Sequence, residues 1–164
     1  MAKPTAAKSS ASGRSPAAQF TSFLAKYTPA MVKESKASLV LARRQVPGAV
    51  ELVYDNYNAL VIGFGPSERA SEAVLSLALM PRWVTLCFLQ GGPALPDPHG
   101  ILRGSGTTVR NVRLTSAHDL EKPAIRALIK TALGRAKVPI DPAGTRRMVI
   151  KSISAKQRPR RPSE

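Results

Sequence analysis

The chain predicts a single compact α+β domain: an antiparallel sheet of five or six strands with helices packed on one face. Three observations lead there. Apolar residues recur at helical spacing before residue 46 and again around residues 124–133. Between Val50 and Leu89 the spacing changes toward two, broken by turn-forming residues. No helix-length segment separates those strands, so they must join as hairpins rather than as parallel crossovers.

The elements follow in order. Phe20, Phe23, Leu24 and Tyr27 lie on one stripe of a short helix. Thr28-Pro29 restarts a second helix, with Thr28 as cap and Pro29 at the first helical position. That helix runs to about Gln45 with Val32, Leu39, Ala42 and Val46 inward, and stops before Pro47-Gly48. Val50, Leu52 and Tyr54 alternate with Glu51, Val53 and Asp55 as a strand, Asn56-Tyr57-Asn58 turns, and Leu60 to Phe64 returns. Val74 to Leu79 and Val84 to Leu89 form a second hairpin across Met80-Pro81-Arg82-Trp83. The Gly- and Pro-rich stretch 91–106 holds one helical turn after Asp97-Pro98, and Thr108 to Leu114 is a fifth strand. Ser116 or Asp119 caps a last helix whose apolar face is Ala124, Ile125, Leu128, Ile129, Ala132 and Leu133. Met148 to Ile153 is an edge strand guarded by Lys151.

A chain of 164 residues buries enough surface to fold without a staple. Its one cysteine, Cys87, cannot close an internal disulfide and sits in an apolar run, which fits a reducing, cytoplasmic setting. No stretch approaches the roughly 20 apolar residues that span a bilayer, and the N-terminus lacks the apolar segment of a secretory signal. Twenty-five Lys and Arg against 10 Asp and Glu give a net charge of +15. The surplus divides as +3 in residues 1–16, +9 in 17–155 and +3 in 156–164. The two end segments, poor in apolar residues, read as disordered basic tails flanking the 17–155 domain. Such a field draws polyanions without naming them.

Catalytic and metal-binding patterns find little support. His99 and His118 are far apart, and no H-x-x-x-H, C-x-x-C or carboxylate-rich loop is present, so no metal or cofactor is expected. Ser105 in Arg103-Gly104-Ser105-Gly106 leads into a strand, whereas a nucleophile elbow or a phosphate loop leads into a helix. The densest polar and aromatic set is Glu51, Tyr54, Asp55, Tyr57 and Asn58 with Arg82 and Trp83, which makes the sheet end the candidate ligand site. Arg103, Arg110 and Arg113, with Lys156, Arg158, Arg160 and Arg161 of the tail, are the candidate polyanion contacts.

Several segments carry a resemblance. Val50-Glu51-Leu52-Val53-Tyr54-Asp55-Asn56-Tyr57-Asn58-Ala59-Leu60, Pro81-Arg82-Trp83-Val84, Leu95-Pro96-Asp97-Pro98, Leu102-Arg103-Gly104-Ser105-Gly106 and Ile150-Lys151-Ser152-Ile153-Ser154-Ala155-Lys156 together resemble the YdhG-like family, a domain of unknown function found in many bacteria. The resemblance covers roughly Phe20 to Ala155 and implies a compact α+β domain with an antiparallel sheet. One branch of the family is a frataxin-like intracellular iron chaperone; that role calls for carboxylate oxygens, and residues 17–155 hold nine acids against 18 bases.

The expected function is therefore non-enzymatic binding. The leading reading is recognition of a small ligand or partner segment at Tyr54, Asp55, Tyr57, Asn58, Arg82 and Trp83. Accessory binding of nucleic acid or another polyanion comes second and iron chaperoning third. A monomer or weak dimer with no membrane partner is expected.

Overall fold

In the computed structural model, which describes residues 13–163, the chain enters through two helices, α1 (Pro16–Leu24) and α2 (Pro29–Gln45). Each begins as Ser or Thr followed by Pro dictates. Ser15 Oγ accepts the Ala18 N–H at 3.1 Å, and Thr28 Oγ1 accepts the Met31 N–H at 3.2 Å. Lys3 and Lys8 of the expected N-terminal tail lie outside the described residues. Of the expected inward stripe of α2, Leu39, Ala42 and Val46 are buried and Val32 is half-buried; Met31, Ser35 and Ser38 are buried with them.

After α2 the chain turns at Gly48, whose φ is +80° and whose missing Cβ would lie 2.0 Å from the Asp141 carbonyl oxygen. Only glycine fits there. Five strands follow: β1 (Val50–Asp55), β2 (Leu60–Gly65), β3 (Leu75–Leu79), β4 (Val84–Phe88) and β5 (Arg110–Leu114). Consecutive strands pair antiparallel, as their hairpin connections require. A 3-10 turn over Ala117–Glu121 leads into α3 (Pro123–Gly134), and β6 (Arg147–Ile153) ends the sheet. After Asp97-Pro98 the chain makes a hydrogen-bonded turn, Gly100 N–H to the Asp97 carbonyl at 3.1 Å, and a 3-10 turn precedes it at Gly92–Ala94. Neither Ser116 nor Asp119 caps α3: Lys122 precedes it without a side-chain cap, and the Asp119 carboxylate takes the N–H and hydroxyl of Thr115.

The sheet is mixed, not wholly antiparallel. Its order is β5-β4-β3-β2-β1-β6, and β6 runs parallel to β1, with a register shift beside Val53 and Tyr54. The exclusion of parallel pairing held only for strands joined without a helix. Between Leu114 and Arg147 the chain has α3 and a long loop, enough to bring β6 back along β1 in the same direction.

Val53, Ile62, Leu77, Leu86 and Val112 share one sheet face and form a single core with Phe23, Tyr27, Leu39, Leu120, Leu128 and Ile129. Alternation places Tyr54, Val61, Ala78, Thr85 and Arg113 in a row on the other face. The helices α1, α2 and α3 build the core on the first face, while Ala73, after a 3-10 turn at Ala70–Glu72, lies against Gly63 and Gly65 on the other.

Tyr27 ties the helical layer to two strands. It is 1% exposed; its hydroxyl donates to the Leu79 carbonyl at 2.6 Å and accepts the Leu60 N–H at 3.2 Å. Burial pushes the phenol pKa up, since the charged form has no water to stabilise it. Tyr27→Phe keeps the ring but strands a buried donor and a buried acceptor. We expect it to lower unfolding free energy by about 1–3 kcal/mol in a denaturant titration.

Candidate functional site

Residues beyond β6 are not a free tail. Ser154 N–H donates to the Asp55 carbonyl at 2.9 Å and Arg158 N–H to the Tyr57 carbonyl at 2.8 Å, so the strand's end becomes a strap along the β1–β2 turn. Arg160 pins it. Its Nη2 donates to Asp55 Oδ1 at 2.9 Å and to the Asn56 carbonyl at 2.6 Å, and its Nη1 to the Tyr57 carbonyl at 3.3 Å. The expectation of a disordered segment over 156–164 is corrected for residues 156–163. Composition sees solvated charge, but one arginine here meets a buried carboxylate.

Asp55 is the strap's anchor rather than a ligand contact. It is 1% exposed and also accepts Lys26 Nζ at 2.6 Å. Burial alone would raise its pKa, but hydrogen bonds from Lys26, Gln157 and Arg160 outweigh that and hold the carboxyl below its ordinary range. Arg160 is likewise 3% exposed and closed to a polyanion in solution. Its Nε is buried without a partner, so the guanidinium is held by its two terminal nitrogens.

The candidate ligand residues therefore separate. Tyr54 lies on the sheet face opposite Asp55, half-buried, with its phenol pKa pushed up by burial. Glu51 faces inward, 0% exposed, in a two-pronged contact with Arg43 at 2.7 and 2.8 Å. Tyr57 is exposed at the turn, beneath the Arg158 guanidinium at 5.7 Å. Asn58, Arg82 and Trp83 stay together.

Those three line an open groove of about 790 Å³ between the β3–β4 turn and the strap, whose wall adds Arg158, Arg161 and Ser163. The volume lies within the range of ligand sites. Arg161 Nε donates to the Lys26 carbonyl at 3.2 Å, and Arg158 lies over Tyr57, but no carboxylate pairs with Arg82, Arg158 or Arg161 among the described residues. Trp83 is held on the outer sheet face by its Nε1–H bond to Thr85 Oγ1 at 3.0 Å, and the Arg113 guanidinium stacks 3.6 Å from the indole centroid. Two separate expectations, a ligand site at Arg82 and Trp83 and a basic tail, thus meet in one place. Sequence proximity could not show this, because the two walls lie about 75 positions apart.

The other candidate cations are more dispersed. Arg103 Nη1 donates to the Gly100 and Leu102 carbonyls, and Arg110 Nη1 to those of Gly106 and Val109, so both brace their own loop. Lys156 is exposed on the strap. Cys87 is half-buried on the outer face, and burial raises its thiol pKa. His99 is exposed beside a small cavity under α3, and His118 faces Glu121 at 3.3 Å. Among the described residues no helix is long and apolar enough to cross a membrane. Compared with protein-family models, curated proteins and solved structures, the chain finds no match.

Proposed function

We propose that the protein is a non-enzymatic binding module that captures an anionic ligand in the groove between the β3–β4 turn and the C-terminal strap. One observation carries this reading. Arg82, Arg158 and Arg161 converge on a single groove, and among the described residues no carboxylate pairs with them. Cations left unpaired on a concave surface concentrate anions there, and the net charge of +15 adds a long-range attraction. Arginine also offers paired N–H donors suited to phosphate and carboxylate oxygens. Membership in the YdhG-like family belongs to the same proposal, supported by the segments around Tyr54-Asp55 and Arg82-Trp83.

Calorimetric titration with inorganic polyphosphate across a salt series tests the groove. The affinity is expected to fall steeply with salt, and Arg82→Ala with Arg161→Ala is expected to reduce the log–log slope by about 2, one per lost phosphate contact. Lys33→Ala with Lys36→Ala on exposed α2 positions removes the same charge elsewhere and is expected to change affinity far less. Equal losses from both pairs would reduce the groove to one part of a diffuse basic surface and overturn the proposal.

A further inference from the structure

We infer that the groove's ligand is single-stranded nucleic acid, with phosphates on Arg82, Arg158 and Arg161 and an unpaired base against Trp83. This rests on the groove binding an anion, as proposed above, and adds the chemistry of the rest of the ligand.

Trp83 is the groove residue that sets charge apart from ring recognition. Its one polar atom is already satisfied by Thr85 at 3.0 Å, so what it offers a ligand is a flat π surface. Arg113 holds the ring in place from one side at 3.6 Å, a preorganised cation–π pair. A basic groove beside a fixed aromatic ring is the pairing that binds single strands with little regard to sequence, since every base has a face to stack.

The surface next to Trp83 supports the same ligand. The Thr85 bond puts the indole on the sheet face opposite the core of α1, α2 and α3, away from the end of that face where Ala73 lies against Gly63 and Gly65. There Ala78, Thr85, Cys87 and Asn111 are half-exposed, and Tyr54 stands in the same row as Ala78 and Thr85. Short side chains on a partly open sheet leave room for further bases to lie flat beyond the first. Arg82, Arg158 and Arg161 then sit where the strand's backbone would pass.

Charge alone does not select this ligand, and duplex geometry argues against the alternative. A duplex keeps its bases stacked on one another and offers Trp83 no free face. The groove is walled by the β3–β4 turn and the strap, and its lining includes no helix that could enter a major groove. Inorganic polyphosphate has the charge but no ring.

The chain has a single tryptophan, so its emission reports this site directly. The test titrates full-length protein with oligothymidylate of about 12 nucleotides, a length within the usual range for such sites. An abasic oligomer of equal length, blunt duplex DNA and inorganic polyphosphate serve as the other ligands, at one ionic strength. Oligothymidylate is expected to quench Trp83 and to bind about 10-fold or more tighter than the abasic oligomer. Trp83→Leu is expected to weaken oligothymidylate about 10- to 100-fold while leaving polyphosphate affinity within about twofold. Arg113→Gln, at an exposed position, gives a second reading independent of core packing: it is expected to weaken oligothymidylate and spare polyphosphate.

Equal binding of the oligothymidylate and the abasic oligomer, with Trp83→Leu and Arg113→Gln both silent, overturns the nucleic-acid assignment. If Arg82→Ala and Arg161→Ala still weaken polyphosphate in that case, the groove itself stands. Tighter binding of duplex than of single strand overturns the assignment as well. Failure of every anion to bind removes the groove reading and this one together.

Discussion

Arg160→Ala is expected to lower unfolding free energy by about 3 kcal/mol and to free the C-terminal strap, because it leaves a buried carboxylate short of a partner. Arg160 and Asp55 side chains are 2% and 1% exposed, so water cannot replace the lost N–H donors. Lys26 still reaches Asp55 at 2.6 Å and is 39% exposed, which puts the loss at the lower end for a broken buried pair. The Asn56 and Tyr57 carbonyls also lose their contacts. Arg160→Lys is expected to rescue little, since one ammonium cannot span three acceptors as a guanidinium does. Denaturant unfolding gives the energy, and amide exchange at Ser154 and Arg158, whose N–H groups bond Asp55 and Tyr57, shows whether the strap has left. Arg160 is not a groove residue, yet anion affinity is expected to fall with it, because Arg158 and Arg161 are carried on the strap. An unchanged exchange rate at Arg158 in Arg160→Ala would show that the strap is held by something else.

Acid should act on the same lock. The Asp55 carboxyl is held below its ordinary range, so the contribution it makes is complete above an unfolded-state pKa of about 4 and disappears as pH falls through the lower folded value. Asp119 acts in the same direction: its burial is outweighed by hydrogen bonds from Lys122 and Thr115. Strap release, followed by exchange at Arg158, is therefore expected on acidification below pH ~4 and not between pH ~5 and ~8.

Much of the fold could be read from local pattern, because period and turn chemistry are local. Thr28-Pro29, the Asn56–Asn58 turn and the Met80–Trp83 turn each sit where their residue types demand. What escaped was set by partners distant in sequence. Nothing in Met148 to Ile153 says that it will lie parallel to β1; that depends on how α3 packs first. The strap escaped for the same reason. Lys-Gln-Arg-Pro-Arg-Arg-Pro has the composition of a solvated tail, and only Asp55, 105 residues earlier, distinguishes Arg160 from its neighbours. The site was half visible. The chemistry of Arg82, Trp83 and Asn58 points to the groove they line, whereas Tyr54 and Asp55, adjacent on a strand, face opposite ways and cannot share one site.

The second large effect concerns the other buried acid of β1. Arg43→Ala is expected to lower stability by about 3–5 kcal/mol, since Glu51 would be left fully buried with only Arg146 nearby. Glu51 is 0% exposed, Arg43 grips both of its oxygens at 2.7 and 2.8 Å, and Arg146 stands 3.8 Å away, beyond hydrogen-bonding distance. Combining Arg43→Met with Glu51→Leu replaces the pair by apolar groups and is expected to recover most of the loss, because no charge then remains stranded. Recovery by the double variant would separate the penalty of an unpaired charge from simple loss of packing. If Arg43→Ala alone lost less than about 1 kcal/mol, Glu51 would have to find another partner, such as water, in the folded state. The placement of these acids bears on function. Glu51, Asp55 and Asp119 are buried and bound to their own cations, so three of the chain's 10 acids contribute little to the outer field. The same salt bridges that hold α2 and the strap onto the sheet keep those carboxylates away from the groove, where no carboxylate among the described residues pairs with Arg82, Arg158 or Arg161.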